Sequence, residues 1–241
     1  MSCRSLVLMA MLVLVSVLVS VARAAPDDTH DTRDVLGWTL HVSKALLAEK
    51  PEATARAIPL LEKQLAEIIR VVPAKAVVEL KKVPLWFSPE YPGVQPRAEF
   101  HPDASWLKDN GRDPAMARAI EFTNIGIFPE ECRRMPNFAL HELAHAYHFR
   151  VLGFDDPAIC EAYERAKAAG LYDKVERQRT DGRPNPIVKA YAMTDHKEYF
   201  AETTEAFFSR NDFFPFTRDQ LRAHDPRMFG VLEAAWGVTQ P

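Results

Sequence analysis

Ala139-Leu140-His141-Glu142-Leu143-Ala144-His145-Ala146-Tyr147-His148 holds two histidines four residues apart, with a glutamate directly after the first, in a run of good helix formers. In a helix, positions i and i+4 share one face at ~6 Å along the axis, so both imidazoles can reach one divalent ion. Neutral imidazole suits Zn²⁺, and Glu142 is then placed to take a proton from water beside the metal, which is hydrolytic chemistry. His148 falls on nearly the same face, but it lies ~10.5 Å along the axis from His141, too far to share the ion. It is read as a packing or supporting residue. Two histidines are an incomplete set, because a catalytic zinc normally takes three protein ligands and keeps one position open.

The missing ligand is sought in Tyr191-Ala192-Met193-Thr194-Asp195-His196-Lys197-Glu198-Tyr199-Phe200-Ala201-Glu202-Thr203-Thr204-Glu205-Ala206-Phe207-Phe208. Glu198, Glu202 and Glu205 recur at i, i+4 and i+7, flanked by Phe200, Ala201, Phe207 and Phe208. Three acids on one stripe among bulky aromatics make a poor solvated face. Spacing alone lets either Glu198 or Glu202 face the histidines.

The HELAH motif, with a tyrosine at 191 and Glu198-Tyr199-Phe200-Ala201-Glu202 seven residues later, resembles the lethal-factor-type zinc metallopeptidases, a group of zincins. The matching positions are His141, Glu142, His145, Tyr191, Glu198 and Glu202; the first half of the chain carries no motif of that family. The resemblance implies a zincin-like fold, a Zn²⁺ cofactor, Glu198 as third ligand, and Tyr191 as a hydrogen-bond donor to the transition state. It also implies that Glu202 accepts the N–H of a ligating histidine and fixes its tautomer. The implied activity is hydrolysis of peptide bonds in a peptide or protein substrate. In zincins the strand nearest the cleft commonly pairs with an extended substrate, and Ala119–Thr123, just before the site, is the expected strand. Two other readings stay open: a zinc hydrolase of non-peptide amides, and a secreted zincin-fold binding protein without turnover.

Working outward, Arg4 precedes an apolar run from Leu6 to Val21, and Ala22-Arg23-Ala24 supplies the small residues of a cleavage site. Residues 1–24 are therefore expected to be a signal peptide, and the protein to be secreted or periplasmic. Losing Arg4 and Arg23 and no acid changes the net charge from −3 to −5. No basic stripe is left for nucleic acid, and no later segment is apolar enough for stable membrane insertion. Residues 25–241 fit one domain.

Cys132 and Cys160 remain and bracket the HExxH helix, so a disulfide between them is expected in an oxidising compartment. The polar run Asp27–Asp34 reads as a flexible leader and Trp38–Val42 as a first strand. Glu52–Val72 has helical periodicity and contains Pro59; Ala74–Lys81 reads as a short helix. Val83–Phe87 and Ala98–His101 are further strands. Helices are expected at 137–152, 157–169, 196–209 and 226–236, with Gly153 and Gly170 at helix ends. Asn211–Phe216 is an aromatic cluster suited to core anchoring, and His196 and His224 are left outside the site. A small N-terminal sheet followed by a mostly helical C-terminal half defines an α+β fold.

Overall fold

A computed structural model describes residues 29–238. The expected signal peptide, residues 1–24, lies outside the described residues. The run read as a flexible leader is a strand from residue 30 onward: β1 (His30–Val35) pairs antiparallel with β2 (Trp38–Ser43). The turn is made by Leu36 and Gly37 at φ 55° and 92°, the positive values that a two-residue hairpin matching strand twist requires. β1 lies at the sheet edge with four consecutive exposed residues, so its charges stay solvated and discourage pairing with another chain.

β3 (Leu85–Phe87) runs parallel to β2, and β5 (Ile120–Phe122) parallel to β3; β4 (Ala98–Phe100) closes the far side antiparallel to β5. The order is β1-β2-β3-β5-β4. Ile120–Phe122 is thus an interior strand, buried at all three positions, and Ala98–Phe100 is the edge that the sequence reading placed one strand away. Alternation sends Leu40, Val42, Leu85, Phe87, Ile120 and Phe122 into the main core. Trp86 faces the other side, where it packs with Leu107, Met116 and Ala119.

α1 (Lys44–Glu49), α2 (Pro51–Val71) and α3 (Ala74–Leu80) connect β2 to β3. α4 (Ala104–Asp109) follows β4, and α5 (Phe128–Arg134), α6 (Phe138–Tyr147) and α7 (Pro157–Ala168) follow β5. A hairpin, β6 (Val175–Glu176) and β7 (Ile187–Val188), precedes α8 (His196–Phe208), α9 (Arg218–His224) and α10 (Pro226–Trp236). The molecule is α+β. No helix of the described residues is long and apolar enough to cross a membrane.

α2 continues through Pro59. Both Pro59 and Ala55, whose carbonyl loses its partner there, are exposed, so water can satisfy that carbonyl. α6 is the central helix, touching β4, β5, α2 and α8. It ends in a wider π-turn, His148–Leu152, before Gly153 at φ 86°. Trp236 locks α10 onto α6 and α8: it stacks on Tyr147 with ring centres 4.2 Å apart and donates from Nε1 to Thr204 Oγ1 at 3.2 Å.

The cysteines are not bridged. Cys132, on α5, turns toward α2 and accepts from Gln64 Nε2 at 3.2 Å, whereas Cys160 sits on α7, which packs against α8 and α10. They belong to different layers, and burial raises both thiol pKa values.

His148 is fully buried with neither ring nitrogen hydrogen-bonded, against the rings of Phe154 and Phe200. It is a packing residue. Burial drives its pKa down to about 3, with His196 adding to the effect. The folded state therefore refuses a proton that the unfolded chain accepts below pH 6.5, so stability falls as pH drops from 6.5 toward 3. This residue should cost roughly 3 kcal/mol by pH 4 relative to neutral pH. His148→Leu should flatten that part of the pH dependence, read as urea midpoints for both proteins between pH 4 and 7; parallel curves would refute the assignment.

Candidate metal centre

The two helices that form the site are each fixed at the N-terminus by a side-chain cap. Asn137 Oδ1 accepts from Leu140 N–H at 3.0 Å, and its Nδ2 donates to the Gln64 carbonyl at 3.1 Å. Gln64 Oε1 accepts from Ala139 N–H at 2.9 Å, so α2 holds the first turn of α6. Each such cap contributes about 1 kcal/mol. At α8, Asp195 Oδ1 accepts from the N–H groups of Lys197 and Glu198 at 2.8 and 3.0 Å, which starts the helix with Glu198 in its first turn.

The packing of α6 on α8 brings three acceptor atoms together. His141 Nε2 lies 3.1 Å from His145 Nε2 and 3.1 Å from Glu198 Oε2; His145 Nε2 lies 3.3 Å from Glu198 Oε2. Ligands at 2.0–2.1 Å on a tetrahedral zinc stand roughly 3.3 Å apart, so the triangle has the right size. His141 Nδ1 donates to buried Glu205 Oε1 at 2.7 Å, leaving Nε2 with its lone pair directed at the other two atoms. Lone pairs of two imidazoles and a carboxylate meeting at one point repel unless a proton or a metal ion lies between them. The residues fit a zinc ion.

Glu205, one turn beyond the expected Glu202, is the acceptor that fixes the tautomer of His141. Glu202 is equally buried, but its Oε2 accepts from Asn211 Nδ2 at 3.0 Å. His141, Glu202 and Glu205 do offer ligand atoms within 4.8 Å of one another. With Nδ1 of His141 engaged, this set forms the hydrogen-bonded layer beneath the first. Burial lifts Glu202 well above the carboxylate range, with Glu205 and Asp212 adding repulsion. Burial also raises Glu205, and the hydrogen bond from His141 opposes that rise. Glu205, which the His141 ring meets directly, is thus the partner that can carry charge against the imidazole.

Burial opposes a charged His141, yet Glu198 and Glu205 outweigh it and raise its pKa well above the usual value. Burial likewise opposes a charged Glu198, but the two histidines hold its carboxyl well below the usual range. A site with this balance attracts positive charge, and metal and proton compete for it.

Tyr191 is half exposed at the mouth, its O–H donating to Glu198 Oε1 at 3.2 Å. Burial, then Glu198, pushes its pKa up to about 12, so the phenol keeps its proton at neutral pH. Glu142 Oε2 accepts from the Phe100 N–H of edge strand β4 at 2.9 Å, and no hydrogen bond to Oε1 is found among the described residues. His141, Glu142, His145, Tyr191 and Glu198 line one cleft of about 520 Å³ together with Phe100, Phe138, Arg177 and Phe213. His196 and His224 hydrogen-bond the carbonyls of Phe154 and Leu171 instead. Phe213 is buried as expected of the aromatic cluster, and it also forms part of the cleft wall.

No protein-family model, curated protein or solved structure matches this chain.

Zinc titration against a competing chelator separates the three glutamates. Glu198→Ala should lose stoichiometric zinc, and Glu205→Gln should weaken binding by about 10 to 100-fold, as removal of a histidine's hydrogen-bond partner does. Glu202→Gln should bind almost as tightly as the parent. Metal loss from Glu202→Gln with retention in Glu205→Gln would reverse the assignment.

Proposed function

We propose that the protein is a secreted zinc-dependent metallopeptidase of zincin type. The observation that carries this reading is the convergence of His141 Nε2, His145 Nε2 and Glu198 Oε2 within 3.3 Å, with Glu142 and Tyr191 in the same cleft. A scaffold that only stored zinc would need neither of the last two.

His141, His145 and Glu198 would hold the ion. When bound, zinc polarises a carbonyl and lowers the pKa of water, so that hydrolysis proceeds near neutral pH. Glu142 supplies the base: Phe100 N–H anchors Oε2, leaving Oε1 to accept the proton of the attacking water and to pass it to the departing amine. Tyr191 keeps its proton and can turn its O–H from Glu198 toward the oxygen of a substrate carbonyl as negative charge develops there. Edge strand β4 runs along the cleft, and an extended peptide can pair with its outer backbone groups other than the Phe100 N–H held by Glu142.

Glu142→Gln should keep one zinc per chain while cleavage of peptides falls by several orders of magnitude, because this side chain acts on water and not on the metal. Tyr191→Phe should lower kcat by roughly 10 to 1,000-fold with little change in KM, as loss of one oxyanion donor does. Zinc content and mass-spectrometric mapping of new termini, run on the same preparations, check both. Unchanged cleavage by Glu142→Gln would refute the mechanism, and turnover of non-peptide amides alone would refute the substrate class.

A further inference from the structure

The charges along the cleft wall are unevenly satisfied. Glu99 pairs with Arg97 and Arg112, Glu131 with Arg134, and Asp195 with two helix N–H groups. Asp212 Oδ2 accepts from Arg134 Nη1 and Arg177 Nε at 3.2 and 3.3 Å. Arg134 turns its other two nitrogens, Nε and Nη2, to Glu131. Arg177 does not: Nε is the one nitrogen of its guanidinium that is hydrogen-bonded among the described residues, and its side chain is 43% exposed.

The backbone holds Arg177 firmly. Arg177 N–H donates to the Pro186 carbonyl at 2.9 Å, the residue bridges to Phe213, and the next N–H donates to the Asp212 carbonyl at 2.7 Å. Its guanidinium lies over the Phe213 ring at 4.8 Å. With Nε tied and one face stacked, the two Nη groups form a fixed fork, the geometry that binds a carboxylate in two places. Arg177 lines both the metal cleft and an adjoining cavity of about 430 Å³ under the β6–β7 hairpin. From 173 to 189 this hairpin carries Lys174, Arg177, Arg179, Arg183 and Lys189 against Asp173, Glu176 and Asp181, in a chain whose net charge is −3. Across the cleft Lys197 stacks over Phe154 at 4.7 Å and has no ion pair among the described residues.

We propose that Arg177 is a specificity-determining residue that binds an acidic side chain of the peptide substrate beside the metal centre. The inference rests on the peptidase reading for its substrate class. Asp212 Oδ1, buried and unpaired, is the feature that could call for a basic side chain instead. A cation arriving there would meet Arg134 and Arg177, which already share that carboxylate.

The test uses zinc-loaded Glu142→Gln, which binds peptide without cleaving it, and short fluorescent peptides of one base sequence carrying Glu, Gln or Lys at one position at a time. At one position near the metal, Glu should bind about tenfold tighter than Gln, with the ratio shrinking as salt is raised. Adding Arg177→Gln should bring the ratio to near one at unchanged zinc content. Arg177→Lys, which keeps a charge beside Asp212, should fold and retain part of the preference. Equal binding of Glu and Gln, a preference for Lys, or a ratio indifferent to Arg177→Gln would each overturn the proposal. Acid-selective binding without cleavage of any peptide by the parent would refute the peptidase reading and leave the role of Arg177 standing. Cleavage with no acidic preference would do the reverse.

Discussion

The contact on which the site depends is the 2.7 Å hydrogen bond from His141 Nδ1 to Glu205 Oε1, made between helices whose contact residues are 64 apart in sequence. It is fully buried, so the alternative to making it is an unpaired imidazole and an unpaired carboxylate in the core, which costs several kcal/mol. That cost fixes how α8 lies on α6. The same placement puts Glu198, seven residues earlier and on the same stripe, opposite Nε2 of both histidines. One interaction thereby sets the ring orientation, the tautomer and the position of the third acceptor.

The sheet contributes more indirectly. Its core face gives α6 a flat apolar support through Phe122 and Phe138, whose rings lie 6.0 Å apart. Its antiparallel edge strand places Phe100 N–H against Glu142. Gln64 and Asn137 carry α2 into the same arrangement through buried hydrogen bonds. Three separate parts of the chain thus converge on α6, and none of them supplies an acceptor to the triangle of His141, His145 and Glu198.

Much of this was legible because it repeats locally. Four-residue spacing put His141 and His145 on one face, and i, i+4, i+7 put three acids on another, so the helices and their inward stripes followed from periodicity. The choice between Glu202 and Glu205 did not. Both sit on the inward face of α8, and which one meets Nδ1 depends on the depth and angle at which α6 crosses, a quantity no spacing encodes. The edge strand was misplaced for a similar reason: Ala98–Phe100 and Ile120–Phe122 are both short and apolar, and only pairing order distinguishes edge from interior. β1 was hidden by its solvated charges, although Leu36-Gly37 before Trp38 carried a hairpin signal. The Cys132–Cys160 bridge was argued from compartment and count, which say nothing about which layer a thiol faces.

α8 is buried at every position from Tyr199 to Phe208. A helix with a solvent face can accumulate neutral replacements there, but this one has no such face. Each of its ten inner residues is held by volume or by a hydrogen bond. Over evolutionary time substitutions should collect in the surrounding surface and leave this segment nearly fixed. A distant homologue would then be recognisable from these ten residues and the HELAH helix, after similarity over the rest of the chain had been lost.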